Sequence, residues 1–154
     1  MDKQTTTSKA SEKPRRTVAR KGTARDVMTV DPETISAESS LYDAASVMAE
    51  LGVRHLPVTD AAGRLIGMLS DRDVRTTLGE PMEALRGRED SDVTVSDAMR
   101  ADPLSESLET SVDALAMILA DEKIGAIPIV DEGDRPVGIV SYVDLLSWYA
   151  KNRG

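Results

Sequence analysis

The chain has 154 residues, of which 40% are hydrophobic and 30% charged, and it carries a net charge of −8. This composition is typical of a globular protein and fits one compact domain or two small ones. With no cysteine and a single histidine, His55, the sequence excludes disulfides and thiolate metal sites, and it argues against a histidine-based metal site or a Ser-His-Asp triad.

Composition also bears on the compartment. The lack of cysteine favours an intracellular protein, no apolar run approaches the ~20 residues that a membrane span needs, and the N-terminus has no apolar secretory segment. We therefore expect a cytoplasmic protein with no membrane association. Aromatic residues make up only 3% of the chain, so a planar ligand would have to lie between aliphatic side chains.

The N-terminal segment, residues 1–23, is rich in Thr, Ser, Lys and Arg and shows no apolar periodicity, which predicts disorder. Residues 1–25 carry eight basic and two acidic side chains, so the rest of the chain has a net charge of −14. A body this acidic argues against nucleic-acid binding by the folded part. The tail itself fits a solubilising segment, an arm for nucleic acid, acidic lipid or an acidic partner, or a transit peptide.

From Asp26 onward the chain repeats itself at a constant offset of 71 residues, without a gap as far as Val74. The pairs that share a residue type at this offset are Asp26/Asp97, Met28/Met99, Asp31/Asp102, Pro32/Pro103, Ser40/Ser111, Pro57/Pro128, Asp60/Asp131, Arg64/Arg135, Gly67/Gly138, Ser70/Ser141 and Asp73/Asp144. One supersecondary unit is therefore present twice, and stacking of the two units would bury the apolar faces of both.

Each copy predicts a strand, a helix, two further strands and a second helix. Apolar residues at i, i+3, i+4 and i+7 spacing indicate the first helix, and turn residues join the two later strands into a hairpin. In the first copy the predicted elements are a strand at 34–35, a helix from Ser40 to Gly52, a strand within 53–59 that starts after Pro57, a strand at 64–69 and a helix from Ser70 to about Leu78.

The second copy predicts the same series of elements. They are a strand at 105–106, a helix from Thr110, strands at 124–130 and 135–140, and a helix from Ser141 to about Tyr149. Residues 80–92 match nothing in the other copy and are predicted to be a linker, with a helical turn at 83–88 as one option.

Both copies close on the pattern Gly-x-x-Ser-x-x-Asp, at residues 67–73 and 138–144. Each pattern lies where a predicted strand runs into a helix, and the first N–H groups of a helix are unpaired and attract anions. A serine and an aspartate at this position can hold a sugar phosphate, because a carboxylate accepts two hydrogen bonds from a vicinal diol. They also fit a capping box, which stabilises a helix without any ligand.

The ordered set of motifs, present twice, resembles a pair of CBS domains, the Bateman module. The resemblance rests on Asp-Val-Met at 26–28, the aliphatic strand around Pro57 and the closing Gly-x-x-Ser-x-x-Asp, and it covers about residues 24–149. It implies an α/β (α+β) fold of two tandem repeats, each β-α-β-β-α, packed sheet to sheet with pseudo-two-fold symmetry. The corresponding domains are a tail at 1–23, repeat 1 at 24–79, a linker at 80–94 and repeat 2 at 95–154.

The resemblance further implies a regulatory module and not an enzyme, with no catalytic residue and no required cofactor or metal. In that family the clefts between the repeats can bind AMP, ADP, ATP or S-adenosylmethionine, and the closing aspartate typically holds the ribose. Carried onto this chain, the first cleft would use Asp73 and Ser70 for ribose and phosphate, Arg54, His55 and Arg72 for phosphate, and Thr34, Ile35, Val53, Leu56 and Pro57 for the base. The second would use Asp144 and Ser141, with Ser105, Ile124, Ala126, Ile127 and Pro128 around the base.

The two clefts differ in charge. At the offset of 71, Arg54 and His55 become Gly125 and Ala126, Arg72 becomes Val143, and Ile35 becomes Glu106, which leaves Lys123 as the cation of the second cleft. We therefore predict one good site for an anionic ligand, centred on Asp73, and a second that is weak, empty or completed by groups from the first repeat.

Structural interpretations remain beside the functional ones. His55, inside an apolar strand, also fits a partly buried structural histidine. Trp148 and Tyr149 would either cover the core edge or form the homodimer contact that the resemblance favours. A structure with Asp73 turned from the groove between the repeats, or with Arg54 in bulk water, would favour a packing scaffold.

Four functions follow from these patterns. The leading one is a stand-alone sensor of an adenine nucleotide whose binding alters a separate, unknown effector protein. The others are a ligand-free protein-interaction module of the same fold, a binder of nucleic acid or an acidic partner through the basic tail, and an enzyme, for which the sequence supplies almost no nucleophile or base.

Overall fold

The computed structural model describes residues 22–80 and 92–152. The predicted helical turn at 83–88 and most of the predicted tail lie outside the described residues. Gly22 and Thr23, which the sequence analysis assigned to the tail, are held against the second repeat. The N–H of Val112 donates to the carbonyl of Gly22 at 3.0 Å, and Thr23 forms a bridge with Ser111.

The described chain forms six helices and seven strands. The helices are α1 Ala24–Val27, α2 Leu41–Leu51, α3 Asp71–Leu78, α4 Val95–Ala98, α5 Val112–Glu122 and α6 Tyr142–Lys151. The strands are β1 Thr29–Val30, β2 Ile35–Ser36, β3 His55–Thr59, β4 Leu65–Ser70, β5 Arg100–Ala101, β6 Ala126–Val130 and β7 Pro136–Ser141. The predicted strand-helix-strand-strand-helix order is confirmed, with the predicted strand at 105–106 reduced to one bridge between Glu106 and Ile129.

The helix ends show why these segments begin and stop where they do. The hydroxyl of Ser40 accepts from the N–H of Tyr42 at 3.0 Å, and Gly52 ends α2 in the left-handed region at φ 69°. In the second repeat the predicted start at Thr110 is wrong by one residue, because the hydroxyl of Ser111 caps α5 by accepting from the N–H of Ala114 at 3.0 Å.

The prediction that the strand starts after Pro57 is wrong, because β3 includes this proline opposite Met68 of β4. On its other side β3 pairs with β2 only at Val58 and Thr59, so no partner requires an N–H from Pro57. A proline is therefore tolerated inside this strand because the short neighbouring strand ends before it.

The two sheets do not follow the sequence repeats. One has the order β2-β3-β4-β5 and the other the order β1-β7-β6. The first strand of repeat 1, β1, pairs antiparallel with β7 of repeat 2, and the first strand of repeat 2, β5, pairs antiparallel with β4 of repeat 1. Each repeat thus lends a short strand to the sheet of the other, which ties the two halves together.

Two cores lie under the helices, one for each sheet. The first includes Leu41, Leu56, Val58, Leu69 and Val74, and the second includes Leu115, Leu119, Ile127, Ile129 and Val140. The exchange seen in the sheets recurs here, because Val95 of α4 is fully buried in the first core and Ala24 of α1 in the second.

The opposite faces of the hairpins are also buried. Leu56 and Val58 enter the first core, so Pro57 between them points to the other face, where its partner Met68 is only 8% exposed. The second repeat contacts the first hairpin directly, since the N–H of Leu65 donates to the carbonyl of Asp134 at 2.8 Å.

Candidate functional site

Both closing motifs form reciprocal capping boxes at the start of a helix. The hydroxyl of Ser70 accepts from the N–H of Asp73 at 3.0 Å, and Oδ2 of Asp73 accepts from the N–H of Ser70 at 3.0 Å. The corresponding distances for Ser141 and Asp144 are 3.2 and 2.8 Å. The capping interpretation is therefore confirmed for both copies.

Capping leaves part of the Asp73 carboxylate available. Only Oδ2 takes part in the box, and among the described residues Oδ1 makes no hydrogen bond. Asp73 is half-buried at the N-terminus of α3, where the N–H groups of Asp71 and Asp73 are already bonded and the helix dipole still favours an anion. The same carboxylate can cap α3 and still accept a hydroxyl from outside.

Strand β3 brings further predicted site residues to this helix start. His55 lies directly opposite Ser70 in the ladder of β3 and β4. The carbonyl of Arg54 accepts from the N–H of Asp71, the first residue of α3, at 2.9 Å. Arg54, His55, Ser70 and Asp73 therefore meet at one corner of the first sheet.

The cations of this corner extend into solvent. The side chains of Arg54 and Arg72 are both exposed, and within residues 22–80 and 92–152 neither forms an ion pair. An exposed Arg54 is the arrangement that the sequence analysis named as favouring a packing scaffold, and its long side chain gains more from hydration than from burial without a counter-ion.

His55 is a half-buried titratable group of the corner. Burial lowers its pKa below 6.5, while the carboxylates of Asp71 and Asp73 oppose this shift and Arg54 adds to it. Its ring also reaches the second repeat, where a Cβ placed on Gly125 would lie 3.0 Å from Nε2.

Because His55 is the only histidine in the chain, its pKa is directly measurable. We expect a proton NMR titration of the unliganded protein to give a midpoint below 6.5. The unfolded chain then binds the proton more readily than the folded one, so this group's contribution to stability is complete above pH 6.5 and is lost as the pH falls through the folded pKa. A midpoint at or above 6.5 would contradict the buried placement.

The residues predicted to surround the base divide into two groups. Thr34 is half-buried, Val53 is 37% exposed, and Pro57 is buried on the face turned from the first core. Leu56 is fully buried within that core, and Ile35 is 9% exposed and also belongs to it. Leu56 therefore presents no surface to a ligand, because the strand alternation directs it under the helices.

The second corner is built alike but carries different groups. The carbonyl of Gly125 accepts from the N–H of Tyr142 at 3.2 Å, and Ala126 lies opposite Ser141. Ile127 is fully buried in the second core and Pro128 faces away from it, while Ile124 and Ser105 are half-buried. Glu106 is turned to Thr110, whose hydroxyl donates to it at 3.1 Å.

The two glycines of the closing motifs serve a contact that the sequence analysis missed. Met28 lies against Gly138 and Met99 against Gly67, so closely that a Cβ on either glycine would overlap the thioether. The Asp-x-Met motif near the start of one repeat thus packs on the Gly-x-x-Ser-x-x-Asp motif of the other. The signal was present as two methionines and two glycines at the same offset.

Comparison with protein-family models tests whether the resemblance of the motifs to CBS domains is accidental. The family model "CBS domain" matches residues 24–80 and again residues 95–151. The chain belongs to the CBS-domain family. The two matched ranges are the two repeats at the offset of 71, so the resemblance stated from the motifs is confirmed.

Relatives of similar length share this CBS pair. The CBS domain-containing protein YhcV of Bacillus subtilis is 35% identical over 123 residues, which cover 79% of this chain and 81% of that protein. Longer relatives carry the pair as a part only. The chain spans 22% of L-aspartate semialdehyde sulfurtransferase and 46% of protein MJ1225, both of Methanocaldococcus jannaschii, at 25% and 31% identity.

Solved CBS pairs share the fold. CBSX2 in complex with AMP superposes with a TM-score of 0.74 at 23% identity, over 87% of this chain and 100% of that one. The CBS domain pair of MJ0100, in complex with 5′-methylthioadenosine and S-adenosyl-L-methionine, gives 0.72 at 23% identity, over 84% and 96%. The predicted α/β architecture of tandem repeats is thereby confirmed.

Other features of the described CBS pair lie away from the predicted corner. An open depression of about 530 Å³ is lined in part by Arg25, Glu109, Asp131 and Glu132, and Arg25 pairs with Glu109 at 2.8 Å. Within residues 22–80 and 92–152, no helix has the length and apolarity to cross a membrane, and no cluster of three metal-ligating side chains occurs.

Proposed function

We propose that this CBS pair is a regulatory module that binds an adenine nucleotide, of the AMP, ADP or ATP type, at the corner formed by Arg54, His55, Ser70 and Asp73. Binding would alter how the chain contacts a separate effector protein or a second copy of itself. S-adenosylmethionine is a further candidate ligand. The observation that carries this proposal is the meeting of an aspartate with a free carboxylate oxygen, a helix N-terminus and two basic residues at one corner.

The chemistry of the corner matches the parts of a nucleoside phosphate. Oδ1 of Asp73 can accept hydroxyls of the ribose, while the start of α3 favours the phosphate. Arg54 is exposed and unpaired within the described residues, so its guanidinium can turn onto the phosphate without breaking an existing ion pair. Val53 offers exposed and Thr34 half-buried surface for the base, whereas Pro57 is buried.

The known complexes of related CBS pairs support the same class of ligand. AMP, 5′-methylthioadenosine and S-adenosyl-L-methionine all contain an adenosine unit, and all three are named in complexes whose fold this chain shares. With CBS ranges over most of the described chain, this protein fits a regulatory role better than a catalytic one.

A ligand screen tests the proposal. AMP, ADP, ATP and S-adenosylmethionine are each titrated into the protein by calorimetry and in a thermal-shift assay. A ligand that binds only the native state adds about 2.7 kcal/mol of stability at 100 times its dissociation constant, so a true ligand raises the melting temperature in a concentration-dependent way. Absence of heat and of any shift with all four would refute the sensor.

Arg54→Ala and Lys123→Ala form a matched pair for this screen. Both remove one exposed cation, the first beside Asp73 and the second at the end of α5, near the second corner. We expect Arg54→Ala to weaken nucleotide binding about threefold to tenfold, which corresponds to about 1 kcal/mol for an exposed charge pair. Equal losses for the two variants would contradict the asymmetry of the clefts.

A second candidate, a ligand-free interaction module, also has an observation in its favour. Both capping boxes are complete within the chain, and Arg54 extends into solvent. In addition α6 exposes Tyr142, Val143 and Leu146 at 54%, 58% and 62%, where the first repeat has Asp71, Arg72 and Arg75. Such a face fits a homodimer or another protein, and this function would stand if the ligand screen were negative.

A further inference from the structure

The contact between His55 of the first repeat and Gly125 of the second has no counterpart at the equivalent positions of the other repeat. A Cβ placed on Gly125 would lie 3.0 Å from Nε2 and 3.1 Å from Cε1 of His55, which is closer than ordinary van der Waals contact. The residue that corresponds to His55 in the second repeat is Ala126, whose methyl group is too short to make the reciprocal contact with Arg54. The first repeat therefore reaches into the second, but not the reverse.

Gly125 is the position of the second repeat that is equivalent to Arg54, at the offset of 71. Each of the two residues uses its carbonyl to accept from the first N–H of the following helix. The next residue, Ala126, lies opposite Ser141 of the second capping box. The His55 ring thus occupies the space in which a side chain equivalent to Arg54 would begin.

We infer that His55 closes the second cleft to anionic ligands, so that this chain binds one nucleotide and not two. The inference rests on the proposed function, because it concerns the stoichiometry of the same ligand. The ring fills the place in which the missing cation would begin, and the second cleft has Glu106 where the first has the neutral Ile35. Burial lowers the pKa of His55, which disfavours a positive charge on the ring, whereas an arginine at this place would carry one.

A double-mutant cycle tests the contact without any ligand. The melting temperature is measured for wild type, Gly125→Arg, His55→Ala and the double variant. We expect Gly125→Arg to lower it, and His55→Ala to recover most of that loss, because the ring no longer obstructs the new side chain. Ala120→Arg, at an exposed position on α5, is the control and should be additive with His55→Ala. If Gly125→Arg does not fold, Gly125→Ala takes its place, since its Cβ alone meets the ring.

Calorimetric titration with AMP then tests the stoichiometry. We expect one AMP per chain for wild type, and one equivalent more for the His55→Ala/Gly125→Arg variant than for His55→Ala alone, so that any loss at the first corner caused by removing His55 is measured separately. Two equivalents on wild type would overturn this inference and leave the proposed function standing, whereas no binding to wild type would overturn both. An additive cycle, or a double variant that binds no more AMP than His55→Ala alone, would also overturn the inference.

Discussion

Replacing Asp73 with asparagine is expected to weaken AMP binding by at least about tenfold. The asparagine carbonyl can still accept from the N–H of Ser70, so the capping box is kept, but the free carboxylate oxygen that would accept the ribose hydroxyls is replaced by an NH2 donor. Hydrogen bonds to a charged group contribute about 1.5–3 kcal/mol, and about 1.4 kcal/mol corresponds to a factor of ten in affinity.

Asp144→Asn is the matched control for this substitution. Asp144 has the same place in the second capping box, so both variants should lose a similar, small amount of unfolding free energy in denaturant titration. Only Asp73→Asn should lose affinity for AMP in calorimetry. No loss of affinity in Asp73→Asn would show that its motif serves only as a helix cap, and similar losses in both variants would contradict the asymmetry of the clefts.

Replacing Gly138 with alanine is expected to destabilise the fold by about 1–3 kcal/mol, the range for overpacking in a well-packed interior. The added Cβ would lie 2.8 Å from Cγ and 3.1 Å from Cβ of Met28, so rotation of the thioether end does not relieve the overlap. We expect the substitution to weaken the pairing of β1 with β7 between the two repeats, because Met28 immediately precedes β1.

Urea unfolding of Gly138→Ala, Met28→Ala and the double variant measures this effect. Met28→Ala removes the overlapping atoms, so the double variant should lose less than the sum of the single changes. Gly133→Ala is a suitable control, since its nearest neighbour is the flexible end of Arg135, and it should change stability by no more than about 0.5 kcal/mol. A neutral Gly138→Ala would contradict the Met28 contact.

Much of the fold follows from local patterns in the sequence. The helices that start at Ser40, Ser70 and Ser141 were predicted from capping residues and apolar spacing, and each begins within one residue of its prediction. The exchange of β1 and β5 between the sheets was not predicted. Two-residue strands carry no periodicity, and their partners lie far along the chain, so pairing is decided by tertiary packing.

The candidate site was likewise predictable where it depends on local sequence and not where it depends on packing. Ser70 and Asp73 are close because of helix spacing, and their box could be read from the motif. The burial of Leu56 depends on which strand face the helices cover, and the reach of His55 to Gly125 depends on how the two repeats stack. Neither is encoded in a local pattern, and the solvent-facing direction of Arg54 is likewise a property of the folded surface.

The most direct test of the central claim is to follow His55 by NMR while AMP or adenosine is added. A phosphate bound between Arg54 and the start of α3 would place negative charge beside the ring, so saturating AMP should shift the imidazole resonances and raise the pKa of His55 above its unliganded value. Adenosine, which lacks the phosphate, should not raise this pKa. If AMP binds and the titration of His55 stays unchanged, the nucleotide does not bind at this corner.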